Sequence, residues 1–495
     1  MKTHRNTAYL RLVAAIVMVV GSAAIFIAAA VWDHQVLSRI TNLFIKRNDA
    51  FPEDRVYLQC DKSLYRPGES IWFQAYVRNG EDLKPSLQSD ILHVEFVDPR
   101  GSIGRQYSLL LKDGVASGDI ALDEHLAGGL YKLKAYTNWQ MNDKEPLFFE
   151  KEIQIQDVVL PRIKMKLEFD RKAYGAGDEV RATFAATSLE NKPLARTECR
   201  IVASIAGRQV VDTSQETDKS GVAGVRFALP KNLSTADGLL LLMIEHDGET
   251  ESISRSIPIV LNTIVLKLFP EGGDLVEGLR SRVAFQALNE FGKPADIEGE
   301  VVDDNDRVVS HVQSFHHGMG AFELFPEHSR YRVRITKPAG ITDLYDVPEA
   351  LSHGYTLGVQ RDSQGNLSLK IGSTENEQMS VVAQMRGRLC FTKSFAAKKG
   401  FTTITVSTDE IPAGVVQVTL FDHDAIERAE RLVFVNEQRR LRLRLTTDKE
   451  KYLPREKVEL TILATDERGV PAPANLSLAV VDDKLLSFAD DRSGN

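Results

Sequence analysis

Cysteine is scarce in this chain: Cys60, Cys199 and Cys390 are the only three in 495 residues. Three widely spaced thiols build neither a disulfide framework nor a zinc site with close ligand pairs. A surplus of positive charge is missing as well. Lys and Arg number 61 against 69 Asp and Glu, a net charge of −8, which argues against nucleic-acid phosphates as a partner. Glycine (33) and proline (18) stand at ordinary levels and 43% of residues are hydrophobic, so a collagen-like or largely disordered chain is excluded. Long apolar runs are absent, with one exception.

The exception is Leu12 to Trp32, LVAAIVMVVGSAAIFIAAAVW, 21 residues without a charge. About 20 apolar residues cross a bilayer core as a helix. Lys2, Arg5 and Arg11 precede it. The positive-inside rule therefore keeps 1–11 in the cytoplasm and predicts that the bulk of the chain is extracytoplasmic, in the periplasm or at the cell surface. Two fates of 12–32 stand open: a retained transmembrane anchor, or a cleaved signal for which Ala28-Ala29-Ala30 offers small residues. Val36, Leu37, Ile40, Leu43 and Phe44 then recur at helical spacing, which predicts a stalk helix over 33–50 or a continuation of the membrane helix.

Beyond residue 50 the apolar period becomes two. IWFQAYV (71–77), ILHVEFV (91–97), LYKLKAY (130–136), FEKEIQIQ (149–156), VVQVTLF (415–421) and LSLAVV (476–481) read as strands, bounded by Gly, Pro, Asn and Asp clusters. This pattern predicts an all-β sandwich or barrel; of the two, the chain is read as a tandem array of immunoglobulin- or fibronectin-like sandwiches.

A turn recurs along it. Asp61-Lys62-Ser63-Leu64-Tyr65-Arg66-Pro67-Gly68-Glu69 leads into a strand, and so does Asp448-Lys449-Glu450-Lys451-Tyr452-Leu453-Pro454-Arg455-Glu456. A weaker copy holds Asp170, Arg171, Tyr174, Gly177 and Asp178. Pro fixes φ, Gly permits positive φ, and the tyrosine ring is expected to fold onto the next module's core. The acid after the turn either stays solvated or caps free N–H groups. Lys192-Pro193, Lys293-Pro294 and Val470-Pro471 mark further turns, and Gly224–Pro230 and Gly320–Pro326 mark strands. Landmarks in fixed order indicate a tandem array. The predicted units are 51–158, 159–262, 263–338, 339–437 and an incomplete one at 438–495.

The stretches DRVYLQCDKSLYRPGESIWFQAYV, GGLYKLKAYTNWQMN, FPEGGDLVEGLRSRVAFQA, HHGMGAFELFP and AERLVFV resemble macroglobulin-domain proteins of the bacterial envelope. The first of them is similar to the second macroglobulin-type domain of the alpha-2-macroglobulin family. The resemblance implies macroglobulin sandwiches, a protein partner (a protease or an envelope protein) and endopeptidase inhibition. The alternative is a non-enzymatic scaffold, or an accessory to an outer-membrane or surface-glycan system. The family's thioester lies in a Gly-Cys-Gly-Glu-Gln run, and none of the three cysteines here sits in one.

The chain also carries no G-x-S-x-G, H-E-x-x-H or G-x-x-x-x-G-K-[ST] motif, so no catalytic residue, cofactor or enzyme activity is assigned. His311, His316, His317 and His328 are read as part of a hairpin, not a metal site. Asp303–Asp306 and Asp422-His423-Asp424 are read as turns between strands, and the cysteines as packing residues. Among the aromatics of the first unit, Trp139 is the expected exposed contact residue.

Overall fold

The computed structural model describes residues 38–39, 41–42, 45–46, 52–156 and 163–481. The predicted segment 12–32 lies outside them. Of the stalk 33–50, the described residues 38–39, 41–42 and 45–46 are helical. Among the described residues no helix is long and apolar enough to cross a membrane. The chain forms two compact units: 53–352 with the segment from 475, and 353–474 with the residues up to 52.

The first unit carries three sandwiches. The first is built from β1 (Asp54–Cys60), β2 (Leu64–Tyr65), β3 (Ser70–Asn79), β4 (Ile91–Val97), β5 (Ile103–Leu110), β6 (Val115–Ala121), β7 (Gly129–Thr137) and β8 (Phe149–Ile155). Its sheets run β1-β3-β6 and β2-β8-β7-β4-β5. Alternation decides the packing. On β3, Ile71, Phe73, Ala75 and Val77 point inward and are buried, while Trp72, Gln74 and Tyr76 face out.

The second sandwich uses β9 (Ile163–Phe169), β10 (Glu179–Ser188), β11 (Glu198–Ile205), β12 (Arg208–Glu216), β13 (Val222–Ala228), β14 (Gly238–His246) and β15 (Glu249–Ser256). Its sheets are β13-β10-β9 and β12-β11-β14-β15, closed over Phe184, Cys199, Leu240 and their neighbours.

The third comprises β16 (Ile264–Pro270), β17 (Ser281–Asn289), β18 (Glu298–Val302), β19 (Val308–His316), β20 (Met319–Leu324), β21 (Arg332–Lys337) and β22 (Leu344–Asp346). β19 pairs with β20 on one side and β18 on the other, so one seven-stranded sheet encloses the core.

The predicted boundary at 338/339 is wrong. β22 pairs with β21, Ile341 and Val347 lie in the third core, and Leu351 bridges Val276 in parallel. Pro338 and Gly340 look like a linker but belong to a turn inside the sandwich. The module closes only when its last segment returns to its opening turn. The same parallel closure joins Leu64–Tyr65 to Gln154–Ile155 and Tyr174 to Ile259 in the first two sandwiches. The Pro193 and Pro294 turns also recur in structure, as bridges Thr187↔Pro193 and Leu288↔Pro294.

In the second unit, a fourth sandwich contains β23 (Tyr355–Arg361), β24 (Leu367–Ser373), β25 (Glu377–Met385), β26 (Arg388–Ala397), β27 (Gly400–Val406), β28 (Gly414–Phe421) and β29 (Glu427–Val435), in sheets β23-β24-β27 and β26-β25-β28-β29. β30 (Arg442–Thr447) and β31 (Leu460–Thr465) pair as a two-stranded ladder, with Pro471 bridging Thr465. The predicted strand 476–481 joins no ladder. Alternation gives a segment the capacity to pair, but a ladder also needs a partner edge.

Candidate functional site

The opening turn of the first sandwich is a closed polar network around one phenol. The Tyr65 ring is fully buried in the core of its own sandwich, not in that of the next as the sequence suggested. Its hydroxyl donates to Asp61 Oδ1 at 2.5 Å and accepts from the Lys62 N–H at 3.2 Å. Asp61 Oδ1 also accepts the Trp72 N–H at 3.0 Å, which ties the turn to β3. Lys62 Nζ sits 4.8 Å from the Tyr65 ring centroid and reaches Glu69 Oε2 at 2.7 Å.

Glu69 Oε2 in turn accepts the Arg66 N–H at 2.8 Å, so this acid caps the turn. Arg66 to Glu69 form a β-turn with Pro67 second and Gly68 third, at φ +83°. Burial alone would raise the Glu69 pKa. The hydrogen bonds from Lys62 and the Arg66 amide, together with the lysine charge, hold it below the usual range instead. The Tyr65 phenol moves up, through burial and then its bond to Asp61.

The copy at Asp448 repeats this geometry. Tyr452 donates to Asp448 Oδ1 (2.6 Å) and accepts from the Lys449 N–H (3.0 Å), and Glu456 Oε2 accepts the Leu453 N–H (2.8 Å). Lys449 pairs with Glu456, and Asp448 Oδ1 accepts the Glu459 N–H at 2.9 Å. Here Pro454 is followed by Arg455, which takes the left-handed conformation at φ +67° where the first copy has Gly68.

In the second sandwich, Arg171 lies 4.7 Å from the Tyr174 ring and Asp178 Oδ2 accepts the Gly175 N–H at 2.8 Å. Tyr174 there donates to the Arg181 carbonyl (2.9 Å) instead of to Asp170. The third sandwich opens with a related turn, Val276 to Leu279 with Gly278 at φ +73°. Sequence reading missed this copy because it lacks the Asp, the cation and the Tyr. Only Gly and the strand that follows remained as a signal. In the Asp61 and Asp448 copies, the carboxylates are spent on hydrogen bonds within the turn, so the arrangement fastens a module opening and presents no reacting group.

Trp139 is partly buried and leads into the 3-10 turn Gln140–Asn142. That turn is anchored from within. Gln140 Oε1 accepts the Thr137 N–H (3.0 Å), and the Thr137 hydroxyl donates to the buried Asp54 (2.8 Å). Among the described residues the exposed tryptophan is Trp72, 59% accessible, so Trp139 is the weaker contact residue. Period two on β3 held the signal, because Trp72 lies out of phase with Ile71 and Phe73. Opposite Trp72 stands Asp119 on β6, and Gln59, Gln74 and Ser117 share a cleft of about 430 Å³ with it.

The remaining sequence landmarks resolve as turns and ties. Asp303 Oδ1 accepts the Asn305 and Arg307 N–H groups (2.8 and 2.9 Å), bonds that lower its pKa. His316 and His317 meet edge to face, whereas His328 bonds Glu277 at 2.7 Å. No group of three or more His, Cys, Asp or Glu side chains is arranged to hold a metal ion among the described residues.

Asp422 caps the β28–β29 turn through the Asp424 and Ile426 N–H groups (both 2.9 Å) and pairs with Arg428 at 2.6 Å. His423, in the same turn, bonds Glu377, which also receives the Tyr355 hydroxyl. Cys60 and Cys199 are buried free thiols whose pKa burial raises to about 11.

Comparison with known proteins places a name on the first sandwich. Residues 55–154 match the sequence profile of the MG2 domain family. The match runs nearly from β1 to β8, so the first sandwich carries an MG2-type domain. Among solved structures it is similar to trypsin-activated alpha-2-macroglobulin from Escherichia coli, at 15% identity and a TM-score of 0.47, covering 85% of this chain and 33% of that one. It is also similar to Salmonella alpha-2-macroglobulin reacted with methylamine, at 14% identity and a TM-score of 0.36, covering 83% and 32%. The chain thus spans about a third of the length of those structures. No curated protein matches it in sequence.

Proposed function

We propose that this chain is an extracytoplasmic array of macroglobulin sandwiches that acts by binding proteins, specifically by blocking endopeptidases, without a thioester in its own sequence. The observation that carries the reading is the MG2 match over 55–154. The repeated opening turn supports it, since it extends the same modular logic to 448–456. Binding rather than catalysis is further supported by the chemistry of the described residues. The Asp61 and Asp448 turns spend their acids on hydrogen bonds, and Cys60 and Cys199 are buried with raised pKa values. Export rests on the basic residues before the uncharged run 12–32, which serves as anchor or signal.

The test incubates the full chain, kept in detergent, with a trypsin-like and an elastase-like endopeptidase. The expected outcome is slowed hydrolysis of casein, with a small chromogenic peptide cleaved at the uninhibited rate, and a complex that co-elutes on gel filtration. Unchanged casein hydrolysis with no complex overturns the inhibitor reading and leaves the scaffold role.

A further inference from the structure

The second and third sandwiches meet closely. Ala173, in the opening turn of the second, is fully buried within the third core cluster. Asp296 of the third sandwich accepts the Lys172 N–H at 2.7 Å and the Gly318 N–H at 3.1 Å. One carboxylate therefore fixes both the Lys172 turn and the His317-Gly318 turn at the junction. Beside it opens a cleft of about 700 Å³. Its apolar lining is Pro258 from one sandwich, faced by Phe291 and Pro294 from the other, while Ile257 and Ile259 on either side of Pro258 are buried in the second core.

Two features of this cleft need an occupant. Phe291 is 63% exposed at the tip of a turn that is rigidly held, because Asn289 Oδ1 accepts both the Phe291 and the Lys293 N–H groups (3.0 and 2.9 Å). A large aromatic pinned in water beside two prolines, Pro258 and Pro294, is the composition of a contact hot spot. The rim is basic, formed by Lys172, Lys293 and His317, with Asp237 the one acid among the described lining residues. Neither lysine has an ion-pair partner among the described residues. In a chain of net charge −8 this local reversal of sign selects an anionic ligand.

We propose that this cleft docks an acidic peptide segment of a partner protein, one that lays an apolar side chain against Phe291, Pro258 and Pro294 and sets a neighbouring carboxylate between Lys172 and Lys293. The inference uses neither the protease reading nor the MG2 match, so failure of either leaves it intact.

The experiment measures fluorescence anisotropy of two fluorescein-labelled hexapeptides, alternating Glu-Leu and alternating Lys-Leu, with the full chain in detergent. The acidic peptide is expected to bind at least tenfold more tightly, and to weaken as salt rises from about 50 to 500 mM, since rim charges near water are screened. Phe291→Ala should weaken it about tenfold. Lys172→Glu with Lys293→Glu should reverse the preference, while Phe434→Ala, an exposed aromatic of the other unit, should change nothing. Lys293→Gln, a surface change that leaves the fold untouched, should give an intermediate loss. Equal binding of both peptides, no binding of either, or wild-type binding by the charge-reversed chain overturns the proposal.

Discussion

The opening turns supply the sharpest quantitative test, because one hydrogen-bond set occurs twice at different depths. Tyr65→Phe removes a single oxygen and keeps the ring. Asp61 then loses a donor at 2.5 Å, and the Lys62 N–H loses its acceptor at 3.2 Å. Tyr65 is fully buried and Asp61 half-buried, so water replaces the hydroxyl poorly there. A hydrogen bond to a charged group, left unmade in a buried site, costs about 2–3 kcal/mol. Tyr452→Phe deletes the same bonds (2.6 and 3.0 Å), but Tyr452 is only partly buried and Asp448 is exposed. Water can solvate the freed carboxylate there, and the cost should stay within about 0.5 kcal/mol, as at surface sites.

The difference of about 2 kcal/mol corresponds to roughly a thirtyfold change in the local opening equilibrium, since about 1.4 kcal/mol is tenfold. Hydrogen-exchange mass spectrometry on the full chain reads both sites in parallel. Peptides spanning 61–76 should lose about thirtyfold more protection in the Tyr65 variant than peptides spanning 448–465 lose in the Tyr452 variant. Equal losses, or a larger loss at Tyr452, would refute the claim that burial sets the worth of this network.

Three further outcomes follow from local geometry. A Cβ on Gly175 would overlap the Ala339 carbonyl oxygen, with the Ala339 C and N atoms at 2.8 Å. Gly175→Ala should therefore destabilise the junction by about 1–3 kcal/mol, and raise exchange over 257–264, whereas Gly224→Ala, whose Cβ meets nothing within 4 Å, should be silent in the same measurement. Cys60 and Cys199, with pKa values raised to about 11, should resist a thiol-reactive dye at pH 8 in the native chain and react fully in guanidinium. His423 is raised, first by its hydrogen bond to Glu377 and then by the charges of Asp424 and Glu377 against opposing desolvation. Its tie to Glu377 is therefore fully present below the ordinary histidine pKa and is lost as pH rises through the folded value. After division by the base-catalysed intrinsic rate, protection over 422–428 should fall between about pH 6 and 8, and Glu377→Gln should shrink that fall, leaving the part due to Asp424.

What the sequence disclosed followed physical range. Period two along β3 separates Ile71 and Phe73 from Trp72 because burial acts on each residue in turn, and the structure keeps that division. The Asp61–Glu69 turn was equally legible, since the side-chain hydrogen bonds of Asp61, Tyr65 and Glu69 all reach within eleven residues and the Pro-Gly pair dictates its backbone. Its tyrosine was misassigned to the neighbouring core because a ring's direction depends on strands far away, here the bridge to Gln154 and Ile155. The boundary at 338 failed for the same reason: Pro338 and Gly340 announce a turn, but whether a turn ends a module depends on the Val276–Leu351 bridge across some 75 positions. The junction lies furthest from view. Lys172 and Asp296 stand 124 residues apart, and nothing in either neighbourhood marks them as a pair. Ala173 shows what this distance conceals. In sequence it is a small residue in a weak copy of the turn, yet the fold inserts it into the core of the next sandwich. The same nine-residue device that opens a module thus also joins it to the following one, and the groups left over at that joint, Lys172 and Phe291 among them, become surface chemistry that neither sandwich would display alone.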